Sequence, residues 1–289
     1  MGGREWVDRD LYPFESRYLD VGPGRMHYVD EGSGPVVLMV HGTPTWSFLY
    51  RELIRDLARD HRVIAPDHLG FGLSDHPDEF GYRPEDHARV LEQFIERLGL
   101  RDITLVVHDF GGPIGLSYAE RHPENVRALV LFNTWLWSLA GSSAERVARV
   151  MGSGFGRFLY TRLNISPRMI VPAAFGDRRR LSKAVHRHYI DALDTPRARY
   201  PSWVFAREVL GSGEWYEQLW KDRGTLEQHP ALLIWGRKDP AFGGALSRWK
   251  EAFPAARVVE LPDVGHFVQE EAPREATSAI REFLASLTF

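Results

Sequence analysis

Residues 105–119, LVVHDFGGPIGLSYA, decide how the chain reads. A β-branched run closes at Val107, and His108-Asp109-Phe110-Gly111-Gly112 turns it into a small-residue amphipathic segment. The layout is a buried strand, a sharp turn and a helix, with Asp109 just past the strand's carboxyl end. Many hydrolases carry a serine at this kind of turn. Here it is an aspartate, and Val107 stands where the usual pattern has its first glycine. Taken alone, Asp109 could equally cap the helix that follows.

Working outward, short apolar runs bounded by turn residues recur at 36–40 (VVLMV), 62–67 (RVIAPD), 103–107 (ITLVV), 127–132 (RALVLF), 231–235 (ALLIW) and 257–261 (RVVEL). Near-continuous apolar strands are what a parallel sheet covered on both faces requires. Helical stretches at 46–58, 84–99, 112–121 and 272–287 alternate with them, which predicts an α/β fold with a mostly parallel central sheet flanked by helices. The segments SRYLDVG and GRMHYVDEG predict an antiparallel hairpin at the sheet edge, turned at Gly22-Pro23-Gly24. The alternation stops after Thr134 and resumes at Ala231. The expected organisation is therefore a core of residues 1–134 and 230–289 with a helical lid, 135–229, inserted over the carboxyl ends of the strands.

Bulk properties narrow the function. The chain has 289 residues, 44% hydrophobic and 26% charged, so the disordered and fibrous classes drop out. A net charge of -3 is too near neutral to suggest a nucleic acid or an anionic membrane, and neither is expected as a partner. No apolar run reaches membrane-spanning length. The opening MGGREWVDRD has neither a signal-peptide layout nor the Ser or Thr that myristoylation needs, since Trp6 stands there. With no cysteine, thiolate chemistry and disulfides are excluded, and the cytoplasm is the expected compartment.

Two further segments join Asp109. LLIWGRKDPAF places Asp239 after the penultimate strand, and LPDVGHFVQEEAP places His266 after the last. Asp109, Asp239, His266 is the chain order of nucleophile, acid and base in the α/β-hydrolase architecture. In VHGTPTWSF, a loop after a strand, the N–H groups of Thr43 and Phe110 would form an oxyanion hole, with His41 orienting the loop. The glycine-rich DHLGFGLSD, 67–75, lacks the spacing and lysine of a phosphate loop and reads as structural. His186 and His188, two apart on a helix, do not share a face, so no metal site is expected.

The stretches DEGSGPVVLMVHGTPTWSFLYREL, APDHLGFGLSD, VVHDFGGPIGL, LFNTW, LLIWGRKD and GHFVQEEAP resemble those of the haloalkane dehalogenases over nearly the whole chain. The resemblance implies an α/β-hydrolase fold, no cofactor, and an aspartate nucleophile acting on a small apolar substrate, with water as co-substrate. A carboxylate, with a reference pKa of about 3.9, is already ionised at pH 7 and displaces a leaving group from saturated carbon to give an ester. His266, oriented by Asp239, would then serve as base for the water that cleaves it. The glutamate some dehalogenases use after the preceding strand corresponds to Asn133, which cannot serve as the acid and leaves that role to Asp239. The resemblance implies halide donors, an indole after the nucleophile with either an asparagine in the loop or a second tryptophan in the lid; here Phe110 follows the nucleophile and Thr43 stands in the loop. Trp135, Trp137 and Trp203 are the lid tryptophans that could compensate, and Tyr160, Tyr189 and Tyr200 the lid tyrosines an epoxide hydrolase would need. The same triad would also serve a β-lactone decarboxylase, or stand idle in a binding protein.

Overall fold

A computed structural model of the chain describes residues 6–142 and 144–287. The segment read for signal-peptide and myristoylation motifs begins with residues 1–5, which lie outside the described residues. Strands β1 (Arg17–Asp20) and β2 (Arg25–Glu31) form the expected hairpin, and β2 runs antiparallel to β4 (Arg62–Pro66). Strands β3 (Val36–Val40), β5 (Ile103–His108), β6 (Val126–Phe132), β7 (Ala231–Gly236) and β8 (Arg257–Leu261) complete a sheet of order β1-β2-β4-β3-β5-β6-β7-β8, parallel from β4 onward.

Alternation along each strand divides the core in two. Leu38, Val40, Leu105, Leu131 and Leu233 pack on one face with α2 (Pro84–Arg97) and α3 (Gly111–Arg121). Val37, Met39, Val106, Val130 and Leu232 face the other way, against α1 (Arg51–Leu57) and α12 (Pro273–Ser286). Both faces are covered, so β5 and β7 are buried along their whole length and must be apolar throughout. At the edge, β8 is only half covered.

The helix expected over 46–58 divides in two, a 3-10 turn at Ser47–Tyr50 followed by α1. The buried Asp67 carboxylate accepts the Ser47 N–H at 2.7 Å, which holds this end in a tighter turn. Asp67 also accepts from the Leu73 N–H at 2.8 Å and meets His27 Nδ1 at 2.9 Å, so the 67–75 loop is tied internally.

Between β6 and β7 the described residues contain no strand. They form α4 (Glu145–Gly152), α5 (Gly154–Leu163), α6 (Val171–Ala174), α7 (Lys183–Asp191), α8 (Pro196–Gly211) and α9 (Gly213–Asp222). Ser153, Ser182 and Thr195 each cap a following helix by accepting a backbone N–H. After β7 the chain continues through α10 (Leu246–Ala252) and, beyond β8, the single turn α11 (Val268–Glu271). Among the described residues no helix is long and apolar enough to cross a membrane.

Candidate active site

Asp109 leaves β5 with φ 53°, in the left-handed region that a non-glycine residue enters only when its surroundings hold it there. The hold is explicit. Thr134 Oγ1 donates to the Asp109 carbonyl at 2.6 Å, the Gly112 N–H donates to the same carbonyl at 2.9 Å, and the Asp109 N–H reaches Asn133 O at 3.2 Å. Gly42 lets the side chain through, because a Cβ there would lie 2.1 Å from Asp109 Oδ1. Val107 is tolerated in place of the missing glycine because α3 gives way: a Cβ on Gly115 would stand 2.8 Å from Val107 Cγ1.

The carboxylate is 6% exposed, and its two oxygens have different surroundings. Oδ1 accepts the Thr43 N–H at 2.8 Å, and Oδ2 lies 3.5 Å from His266 Nε2. On the far side, His266 Nδ1 meets Asp239 Oδ2 at 2.8 Å. Asp239 is fixed in turn by the Ala241 N–H on Oδ1 at 2.7 Å and by Asn133 Nδ2 on Oδ2 at 2.8 Å. Asn133 thus takes part as a donor: it is locked by the Gly236 N–H onto its own Oδ1 and turns its amide toward Asp239. By sequence it reads only as a residue unable to be the acid.

Burial raises the Asp239 pKa, but His266 and the backbone N–H groups of Ala241 and Phe242 outweigh it and hold the carboxyl below its ordinary value. For His266, burial favours the neutral ring; Asp239 and Asp109 overcome it and lift the pKa to about 10. His108 lies beside it with the rings tilted by 46° and their centroids 4.4 Å apart, and meets the His266 carbonyl through Nε2 at 3.0 Å. Burial first, and the neighbouring His266 second, push the His108 pKa down to about 3, so it adds no charge at neutral pH.

His41 orients the loop after β3, as its sequence position predicts. Its Nε2 accepts the His68 N–H at 2.9 Å, so the ring proton sits on Nδ1 and is donated to Gly42 O at 2.7 Å. Sequence reasoning missed two serines. Thr43 Oγ1 lies 3.0 Å from Ser202 Oγ on α8, and Ser202 donates to Ser166 Oγ at 3.3 Å. A serine alone in a helix carries no signal; only the docking of α8 makes it a neighbour of the loop.

The aromatic residues expected around the pocket separate. Phe110 stacks on Phe205 at 4.4 Å and meets the Trp135 ring edge-on at 4.8 Å. Trp135 and Trp203 are buried with indole N–H groups that bond no atom of the described residues. Tyr160 is buried; burial first, and the Asp109 charge second, raise its phenol pKa above the ordinary value. Two others are not brought to the site. Trp137 packs against Trp220 and Trp249, while Tyr189 gives its hydroxyl to Glu270. Tyr200 is half-buried and lines an outer groove of ≈ 620 Å³ with Tyr82 and Phe158. His186 and His188 bond in different directions, to Pro167 O and to the Asp8 N–H.

The alpha/beta hydrolase fold family matches residues 35–273. The chain is 41% identical over 278 residues to haloalkane dehalogenase 2 of Mycobacterium tuberculosis, covering 95% of this chain and 96% of the relative. It is 33% identical over 293 residues to a cis-3-alkyl-4-alkyloxetan-2-one decarboxylase of Shewanella oneidensis, covering 95% and 89%. A crystal structure of an ancestral haloalkane dehalogenase superposes with a TM-score of 0.84 at 28% identity, covering 94% of this chain and 99% of that one.

Proposed function

We propose, from the premise that this chain belongs to the haloalkane dehalogenase family of the α/β hydrolases, that Asp109 displaces halide from small apolar haloalkanes and that His266 drives hydrolysis of the resulting ester. One observation carries the reading: a buried carboxylate with one oxygen held by the Thr43 N–H and the other turned to a histidine that is itself backed by a carboxylate. Asp109 Oδ2 attacks the carbon, the carbon–halogen bond breaks, and halide leaves with its electron pair. The Thr43 N–H already donates to Oδ1, and in this reading the Phe110 N–H joins it as the second donor to the oxygen on which charge develops when water attacks the ester carbonyl.

The electrostatics set the order of events. In the resting site His266 stands between two carboxylates and holds its proton at neutral pH. Esterification cancels the charge on Asp109 and removes one of the two groups that raise the histidine. Its pKa falls, it releases a proton to solvent, and the neutral ring becomes the base for water. The base is therefore switched on by the intermediate it must cleave. In this reading residues 135–229 are the lid over the core of 1–134 and 230–289, and the enzyme works in the cytoplasm without a cofactor.

A second reading rests on the leaving-group side. No indole follows the nucleophile, and the Thr43 hydroxyl is joined to Ser202 and Ser166. With Ser202 donating to Ser166, Thr43 donates to Ser202; if the chain reverses, Thr43 is free to donate to an anion. A carboxylate oxygen from an opened β-lactone suits such a donor. Loss of carbon dioxide from that adduct, with cleavage of its bond to Asp109, would return the aspartate and yield an alkene. Epoxide opening is less well served, because Tyr189 gives its hydroxyl to Glu270 and Tyr200 lines the outer groove, so the three lid tyrosines do not gather as a pair of proton donors.

The experiment is intact-protein mass of His266→Phe after incubation with a bromoalkane, an epoxide and a β-lactone separately. The expected result is a gain equal to the alkyl group, with halide lost. A gain of the whole lactone, or lactone-dependent alkene, moves the assignment to the second reading. A folded variant that gains no mass with any of them removes the aspartate nucleophile.

A further inference from the structure

The segment between β6 and β7 presents a surface that the reaction does not use. Apart from Tyr18, every exposed large hydrophobic side chain among the described residues falls within 147–170: Val147, Val150, Phe155, Phe158, Leu163, Met169 and Ile170. Helix α4 buries no residue fully and lies against α8 along its small side, where a Cβ on Gly152 would touch Arg207 Cα at 2.9 Å. Its Val147 and Val150 point away from that contact. Helix α5 turns Gly156 and Tyr160 inward and leaves Phe155 and Phe158 outside. Each helix thus has a second apolar stripe, facing water.

Charge marks the same region. Residues 144–170 carry five arginines against one carboxylate, Glu145, a net +4 in a chain whose total is -3. Arg146, Arg149, Arg157, Arg162 and Arg168 are exposed and alternate with the apolar side chains. Whole-chain net charge hides this polarity, which is why it gives no reason to expect a membrane.

We propose that the outer face of α4, α5 and the turn through Met169 docks the protein on an anionic lipid surface. Apolar side chains ringed by arginine are what lets a helix lie in the headgroup region, with arginine stems along the acyl boundary and guanidinium groups on phosphates. A second copy of the chain fits less well, because a twofold contact through this face would set the same arginines against one another. The position also has a use. The ≈ 620 Å³ groove adjoins the patch, sharing Arg157, Phe158 and Arg162 with it. Its wall residues Tyr82 and Tyr200 pack into the cluster that holds Tyr160 and Trp203. An apolar substrate dissolved in the bilayer would meet the protein on the side of that groove. The docking stands apart from the reaction assigned above and is tested without it.

The test is co-sedimentation with vesicles of phosphatidylcholine alone and of equal parts phosphatidylcholine and phosphatidylglycerol. The protein is expected to pellet with the anionic vesicles, to stay in solution with the neutral ones, and to be released by high salt. Arg146→Gln with Arg168→Gln should lower the partition coefficient about fivefold per arginine. Phe155→Ser with Met169→Ser should lower it at least about tenfold. Far-UV circular dichroism and the melting temperature of both variants should match the parent, since all four side chains are exposed. Folded protein that fails to pellet with anionic vesicles overturns the proposal. So does a concentration-dependent dimer in sedimentation velocity that these substitutions dissolve, which would make the face a contact between copies.

Discussion

At the scale of single residues the site is governed by which charges face His266. Asp239 and Asp109 both raise it, and the pKa of about 10 means that folding takes up a proton in the range above pH 6.5. Because the value is raised, the stabilisation is fully present below the ordinary histidine pKa and is lost as the pH climbs through about 10. Asp109→Asn, nearly isosteric, removes one of the two charges. Its imidazole titration, followed by NMR of the ring protons, should move down from about 10, and its melting temperature should fall less between pH 6.5 and 10 than the parent's. Turnover should drop by at least about 10⁴-fold. An unchanged titration midpoint would show that Asp239 alone holds the proton, and the proposed switching of the base by esterification would then fail.

At the scale of elements, the elbow works because β5 and α3 are fitted to each other. Helix α3 brings Gly115 against Val107, a side chain where the common pattern has none. Gly115→Ala would force its new methyl to 2.8 Å from Val107 Cγ1, and neither backbone is free to yield. Overpacking of this kind costs about 1–3 kcal/mol. Adding Val107→Ala should recover most of the loss, so that the two changes are strongly non-additive in urea denaturation. Additive losses would mean that the contact is not what limits the packing of α3 on β5.

On the scale of the whole molecule, a buried ion pair ties two distant parts of the core together, and Tyr189, from the segment between β6 and β7, docks on it. Arg51 at the start of α1 donates to both oxygens of Glu270, at 2.5 and 2.7 Å, and Tyr189 of α7 adds its hydroxyl to the same carboxylate. Burial pulls the Arg51 pKa down, but the attraction of Glu270 outweighs it and leaves the value raised. Removing one partner strands the other, so Arg51→Met should cost about 3–5 kcal/mol, measured as a lowered midpoint in chemical denaturation. Glu270→Gln with Arg51→Met together should cost less than Arg51→Met alone. Across these scales, what could be read from the chain parts from what could not. Strands, their buried faces, the break in alternation after Thr134 and the positions of Asp109, Asp239 and His266 were legible, because period, turn residues and chain order are local properties. Three features were decided only by folding: Asn133 as the donor that holds Asp239, the Ser166–Ser202–Thr43 hydroxyls, and the separation of Tyr160 from Tyr189. Each depends on which segments distant in sequence come within 3 or 4 Å, and spacing along a chain carries no record of the angle at which one helix is laid over a sheet.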